Sequence, residues 1–401
     1  MPRFQRARAE GEEQRTTAVE LFYDLVFVFA VTQVSHLLLH DLSWRGAGRA
    51  ALVLLVVWWA WNYTTWVTNE LDPDSVVVRL LLIGIMLASL LLAIAIPRAF
   101  EDRALLFAGA YVTIQAGRHL FLTFAAAEAG TIERRRAGRI LTWFIIAGVL
   151  WIAGGLAGGA ARPWLWLAAL AIDYTAPVVT YWVPFAARIQ TSAWQVETAH
   201  FAERFQLFVI IALGESIVVT GATAAGLDVT PARAAAFAVA FLTTAALWWL
   251  YFDYVAQIAQ RRLELAARRV EMARDAYTYL HVVLVAGVIV AAVGDEIVIA
   301  HPTSGLSTAE IATVAAGPGL YLLGLAVFRR RVAGTFPPKR VAGAAGCAAA
   351  GALGAVLPAL GLTALVLAVV VAVIASEHIA AGRRAARGEP SPLERLEAAN
   401  T

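Results

Sequence analysis

Long apolar runs separated by short polar segments set the pattern of this 401-residue chain. Twelve runs predict helices, the first six over approximately 19–40, 47–68, 76–97, 104–125, 138–158 and 164–184. Six more follow at approximately 203–223, 234–256, 276–298, 306–328, 339–357 and 359–378, the last two parted only by Leu357-Pro358. A helix rises 1.5 Å per residue, so about 20 apolar residues cross a hydrocarbon core about 30 Å thick. The pattern predicts an all-α, polytopic membrane protein.

Two runs break the apolar rule. Residues 18–38, AVELFYDLVFVFAVTQVSHLL, carry Glu20 and Asp24 one turn apart, with Thr32, Gln33, Ser35 and His36 deeper. Residues 200–222, HFAERFQLFVIIALGESIVVTGA, carry Glu203, Arg204, Gln206, Glu215 and Ser216. An ionisable residue in hydrocarbon is expensive and is therefore a candidate functional group. Glu20 and Asp24, at i and i+4, share one helix face. Two bare charges so placed repel, which favours a shared proton or cation. Glu20 alone also suits a first-turn partner of the helix dipole.

Glu215 lies about 18 Å beyond Glu203 along the helix, near mid-bilayer, and follows Gly214, where a backbone or an ion can come close. A protonated Glu215 bonded to a neighbouring helix is the architectural alternative. Glu203 and Arg204 point about 100° apart and cannot pair with each other. Arg204 needs a partner elsewhere, and Asp24 is the expected one. Arg118 and Asp173 sit midway in their runs, and an Arg118–Asp173 or Arg118–Glu215 pair would settle both burial problems. Asn62, His119, Tyr174, Asp253, Tyr277 and His281 complete the buried polar set. Asp295 and Glu296 read as the start of an outer loop. His36 and His40 lack a third ligand, so neither a metal site nor a cofactor is expected.

Composition agrees with the pattern, and charge orients it. The chain is 60% hydrophobic and 15% charged, against about 45–50% and about 25% in soluble domains. The net charge is only +3, and no zinc-finger spacing or basic-aromatic stretch points to nucleic acid. With the N-terminus in the cytoplasm, 24 of the 32 Arg and Lys residues fall on that side and 6 outside. Arg118 and Arg204 fall within spans. That asymmetry follows the positive-inside rule and puts both termini in the cytoplasm. No separate signal-peptide core precedes the first run, which should be retained.

Smaller features follow. Residues 256–273 read as an amphipathic helix on the cytoplasmic leaflet or as the extension of a span. Cys347 is the single cysteine and reads as a packing residue. Gly154-Gly155-Leu156-Ala157-Gly158-Gly159 holds two overlapping GxxxG spacings, a close-packing signal. Trp58, Trp59, Trp61, Trp66, Trp164, Trp166, Trp248 and Trp249 fit interfacial belts, with an aromatic cavity for a cation as the sharper alternative.

The chain also repeats itself. Glu20 to Gln33 aligns with Glu203 to Ser216 at an offset of 183. Trp58-Trp59-Ala60-Trp61-Asn62-Tyr63 then meets Trp248-Trp249-Leu250-Tyr251-Phe252-Asp253-Tyr254 at offsets of 190–191. An even number of helices per repeat makes the repeats parallel. The expected organisation is a cytoplasmic segment 1–17, six-helix repeats over 18–187 and 188–380, and a cytoplasmic tail 381–401.

With these residues in hand, the sequence resembles the bacterial low temperature requirement protein A (LtrA) family. The carriers are Val19-Glu20-Leu21-Phe22-Tyr23-Asp24-Leu25-Val26-Phe27-Val28-Phe29-Ala30 with Thr32-Gln33, then Glu203-Arg204-Phe205 and Ala212-Leu213-Gly214-Glu215-Ser216. The likeness runs from about residue 16 to 380 and implies a multi-pass protein of the bacterial inner membrane. The paired six-helix halves also look like the TMEM175 type of cation channel. That type has an Arg and a Phe-Ser-Asp in the first helix of each half; here Phe22-Tyr23-Asp24 stands in one half and Phe205-Gln206-Leu207 in the other.

The expected function is cation or proton-coupled transport. Glu20, Asp24, Gln33, Glu203, Glu215 and Ser216 would bind the ion or substrate, and Arg204, Arg118 and Asp173 would tune the site. A membrane-embedded cyclase or lipid transferase with Asp24 or Glu215 as general acid is the alternative, and a structural or sensory protein the third class. The partners are the lipid bilayer and a small ion or molecule, with self-association left open.

Overall fold

The computed structural model describes residues 4, 16–190, 194 and 196–398. Every run predicted from the pattern is met by a helix, and the described residues contain no strand. The helices are α1 (Ala18–His40), α2 (Trp44–Thr68), α3 (Val76–Ala95), α4 (Ala104–Phe121), α5 (Ile132–Leu156) and α6 (Ala161–Thr175). The second half adds α7 (Thr198–Ala225), α8 (Pro231–Phe252), α9 (Val255–Leu265), α10 (Arg269–Met272) and α11 (His281–Ala300). It closes with α12 (Thr308–Ala333), α13 (Pro338–Ala352), α14 (Ala359–Ala386) and α15 (Pro392–Ala398).

Local chemistry sets the ends. Thr131 and Thr230 cap α5 and α8 by accepting from the backbone N–H groups of Arg134 and Arg233. Ser307 and Glu310 form a reciprocal capping box on α12, which stops at Gly334 in the left-handed region, φ 67°.

Nine helices among the described residues are long and apolar enough to cross a membrane. They leave out three of the twelve expected places, those of α4, α6 and α13. α6 and α13 have 15 residues each, or about 22 Å of rise, short of a hydrocarbon core. Pro177 explains α6: it has no N–H to donate, so the helix stops two residues earlier and the expected run to 184 becomes turns. α4 holds Arg118 and His119 in its last turn and then widens into a π-helical stretch, Leu122–Ala126.

The chain divides into two compact units, the first of residues up to 37 with 48–204, the second of 38–47 with 205 onward. In the first, α3 packs on α4, α4 on α5 and α5 on α6. α3 shows how the apolar runs are used. Leu82, Ile85, Met86 and Leu92 are buried, while Leu80, Ile83, Leu87 and Leu91 stay exposed and apolar. An exposed face of Leu and Ile suits lipid. The GxxxG expectation holds in part. A side chain at Gly155 would press on Leu105 and Ala104 of α4, but Gly158 and Gly159 lie past the end of α5 in a turn.

In the second unit α11 packs on α12, α12 on α13 and α13 on α14, and α8 lies against α14. α11 and α12 meet nearly backbone to backbone: a side chain at Gly287 would stand 2.7 Å from the backbone nitrogen of Tyr321. The predicted amphipathic helix appears as α9, which buries Val255, Ala256, Ala259 and Leu263 on one face. It breaks after Leu265 and does not run on to 273.

Candidate functional site

The first unit gathers its charges at the start of α1 and α7. Each helix offers an i, i+4 pair, Glu20 with Asp24 and His200 with Arg204, and the two pairs interlock. Arg204 Nη2 donates to Asp24 Oδ1 at 2.7 Å, and Nη1 lies 3.4 Å from Glu20 Oε1. His200 Nε2 lies 3.0 Å and 3.2 Å from the two Glu20 oxygens. Trp61 of α2 donates its Nε1–H to Asp24 Oδ1 at 2.8 Å. All five residues are 0% exposed. Glu20 also caps α1, accepting from the backbone N–H and hydroxyl of Thr17 at 3.0 and 2.8 Å. The helix-cap reading of Glu20 and the buried-charge reading are therefore both realised.

Asn69 decides which nitrogen of His200 holds the proton. Its Oδ1 accepts from the Glu197 N–H at 2.8 Å and its Nδ2 donates to the Glu197 carbonyl at 3.0 Å, so the amide cannot be turned over. The same Nδ2 stands 3.1 Å from His200 Nδ1. That nitrogen must accept, which leaves the imidazole neutral with its proton on Nε2, aimed at Glu20. The cluster then holds two carboxyl groups, one guanidinium and one imidazole, so with both carboxyl groups ionised it would carry one excess negative charge. Asp24 Oδ2 is buried and accepts no hydrogen bond from the described residues.

A second polar run continues from α2 into the unit. Tyr23 and Thr64 both donate to the carbonyl of Ala60, at 3.3 and 3.1 Å. Arg118 Nη1 donates to Thr64 Oγ1 at 2.8 Å and its Nη2 to Gln115 Oε1. Gln115 donates to Tyr111 at 3.1 Å, and Tyr111 to Asp173 Oδ2 at 2.9 Å. Trp151 Nε1 donates to the same Asp173 oxygen at 3.0 Å. The sequence suggested a direct Arg118–Asp173 or Arg118–Glu215 pair, and Arg118 and Asp173 do not meet directly. Arg118 and Asp173 are 0% and 1% exposed, joined only through Gln115 and Tyr111. Arg118 makes no ion pair among the described residues and rests over the ring of Tyr63 at 5.5 Å.

The expected Arg204–Asp24 pair is present. Glu203 stays at the rim, half-buried, and accepts from the Thr16 N–H at 3.0 Å. Gln33 is half-buried, roughly 20 Å up α1 from Glu20. Glu215, 3% exposed, and Ser216, 3.3 Å from Thr244, belong to the second unit. Gln33 lies outside the acidic cluster of the first unit.

The tryptophan expectation is corrected. Trp58, Trp59, Trp61 and Trp166 are buried at 1% exposure or less, packed on one another and on tyrosines, whereas Trp164, Trp248 and Trp249 are exposed. Sequence reasoning missed His200, Asn69, Tyr111, Gln115 and Trp151 as site residues. The i, i+4 spacing of His200 and Arg204, matching Glu20 and Asp24, was the one available signal.

With this geometry in view, the comparisons are specific about ancestry. The bacterial low temperature requirement A protein (LtrA) family pattern matches residues 15–375. An uncharacterized protein of Rhizobium meliloti is 37% identical over 342 residues, covering 84% of this chain and 82% of its own. No solved structure matches the chain. The matched range spans both charged helices, and the chain belongs to the LtrA family of multi-pass membrane proteins.

Proposed function

We propose that this protein moves a proton or a small cation across the bacterial inner membrane through the polar interior of its first unit. The observation that carries this reading is the make-up of the buried cluster. Two carboxylates share one guanidinium, His200 is held neutral, and Asp24 Oδ2 has no donor. A buried excess charge is costly until a counter-charge or a proton joins it. The hydrogen-bonded run from Ala60 through Arg118 to Asp173 supports a route onward. Glu203 at the rim and Gln33 along α1 are the further polar positions of the first unit that we assign to the route.

We further propose twelve spans in two parallel six-helix repeats, over 18–187 and 188–380, with both termini cytoplasmic. The succession α3–α4–α5–α6, each helix on the next, is matched by α11–α12–α13–α14, which supports the repeat. α4, α6 and α13 then complete the twelve as shortened or widened helices.

Flux through purified protein in liposomes tests the reading. Wild type should pass protons or a monovalent cation, and Asp24→Asn should abolish that flux or its pH dependence while the protein stays folded. Glu215→Gln tests the position on α7 in the same assay. Absence of flux for every common cation, with folded protein, sinks the proposal. One observation favours a second reading, a charge latch without turnover: Glu20, Asp24, His200 and Arg204 bind one another at 0% exposure. Buried ion pairs of this kind can fix helix register. A latch requires Asp24→Asn to lower the melting temperature and leave no flux to lose.

A further inference from the structure

The second unit holds a cavity that no part of the transport reading uses. It has a volume of about 280 Å³ and is walled by the ends of α8, α12 and α14 and the turn into α13. Four cations line it, Arg329, Lys339, Arg340 and Arg384, against two carboxylates, Asp253 and Glu377. Both carboxylates are engaged. Arg340 grips Glu377 with two bonds of 2.9 and 3.0 Å, and Asp253 lies 3.6 Å from His378. Lys339 donates to the Ser376 carbonyl at 2.5 Å. Among the described residues Arg329 and Arg384 donate no side-chain hydrogen bond, so their N–H groups remain open to an acceptor.

Two donors in the wall have no acceptor. Arg340 is 1% exposed and its Nη1 has no hydrogen-bond partner, beyond the two nitrogens that hold Glu377 and Leu250. The Tyr254 hydroxyl is buried and equally without a partner. A buried guanidinium N–H left unmet is costly, so a cavity with unmet donors and surplus positive charge is built for a multivalent oxygen acceptor. A second, shallower cavity shares Lys339 and Arg384 and adds Arg383 and Arg387, so the positive lining continues along α14.

We propose that this cavity binds a phosphate group, with Arg329, Arg384, Arg340 Nη1 and the Tyr254 hydroxyl as donors. The arginines belong to the clusters that the charge asymmetry assigns to the cytoplasmic side. Basic pockets between transmembrane helices on that side take anionic headgroups, and the same donors would take a soluble phosphate ester. The chemistry is shared; the source is what the experiment separates.

The test is thermal unfolding of the detergent-purified full chain at fixed ionic strength, with inorganic phosphate or with phosphatidic acid in phosphatidylcholine micelles. At least one of the two probes should raise the melting temperature of wild type relative to chloride and to phosphatidylcholine alone. Arg329→Gln, Arg384→Gln and Tyr254→Phe alter half-buried side chains and should keep the fold. Each arginine variant should weaken the phosphate response about tenfold, the effect of one charge-assisted contact. A response to phosphatidic acid alone assigns a lipid headgroup, and a response to inorganic phosphate assigns a soluble ester. No stabilisation by either probe, or an undiminished response in the double variant Arg329→Gln with Arg384→Gln, overturns the proposal.

Discussion

Arg204 and Arg340 are both buried arginines held by carboxylates, yet their sites carry opposite excess charge. Arg204 stands between Glu20 and Asp24, and the neutral His200 adds nothing, so the cluster is short of positive charge. Arg340 holds Glu377 by two hydrogen bonds, and three more cations crowd the cavity against one further carboxylate, so that site is short of negative charge. On the two readings proposed above, the same residue type serves a proton or cation in one site and an anion in the other. What differs is the count of neighbours, not the arginine. Access differs too. The first cluster is sealed at 0% exposure, while Glu377 keeps 26% of its side chain exposed.

The sharpest way to break this comparison is to remove each arginine. Arg204→Gln leaves two sealed carboxylates without a cation and should cost about 3–5 kcal/mol, seen as loss of folded protein in detergent or an early melt. Arg340→Gln leaves one carboxylate that water can reach, and should cost about 1–3 kcal/mol. Equal losses would mean that burial at the two sites does not differ as drawn. A smaller effect comes from Trp61→Phe, which keeps the aromatic packing but takes the N–H from Asp24. About 1–2 kcal/mol of stability should go, with flux shifted in its pH dependence and not abolished. Smallest is the response to salt. Raising ionic strength tenfold should weaken phosphate binding in the second unit, where charges face a cavity, and leave the stability carried by the Arg204 cluster nearly unchanged.

Much of the first cluster was legible before any coordinates. Glu20 and Asp24 stand out because carboxylates in an apolar run demand partners, and Arg204 had to look beyond Glu203 because adjacent helical residues point apart. His200 was not legible in the same way. Its role depends on Asn69, whose amide is locked by the backbone of Glu197 and so dictates the imidazole proton. Trp61 belongs with it: an apolar run with tryptophans reads as an interfacial belt, and only packing turns the indole inward onto Asp24. Arg118 went the other way. The expected ion pair is replaced by an amide and a phenol, which let a cation and an anion share a hydrogen-bonded run without touching.

The sequence by itself determined the helical, membrane-spanning character, the places of the helices and the family. Twenty-residue apolar runs have few other stable forms in hydrocarbon, and local caps and prolines act within a turn or two. Tertiary structure alone decided which tryptophans face inward and which charges meet. Those choices depend on contacts between residues far apart in the chain, such as Glu20 with His200 and Arg340 with Glu377. Spacing along one helix states which side chains share a face, but not what the opposing helix offers to it.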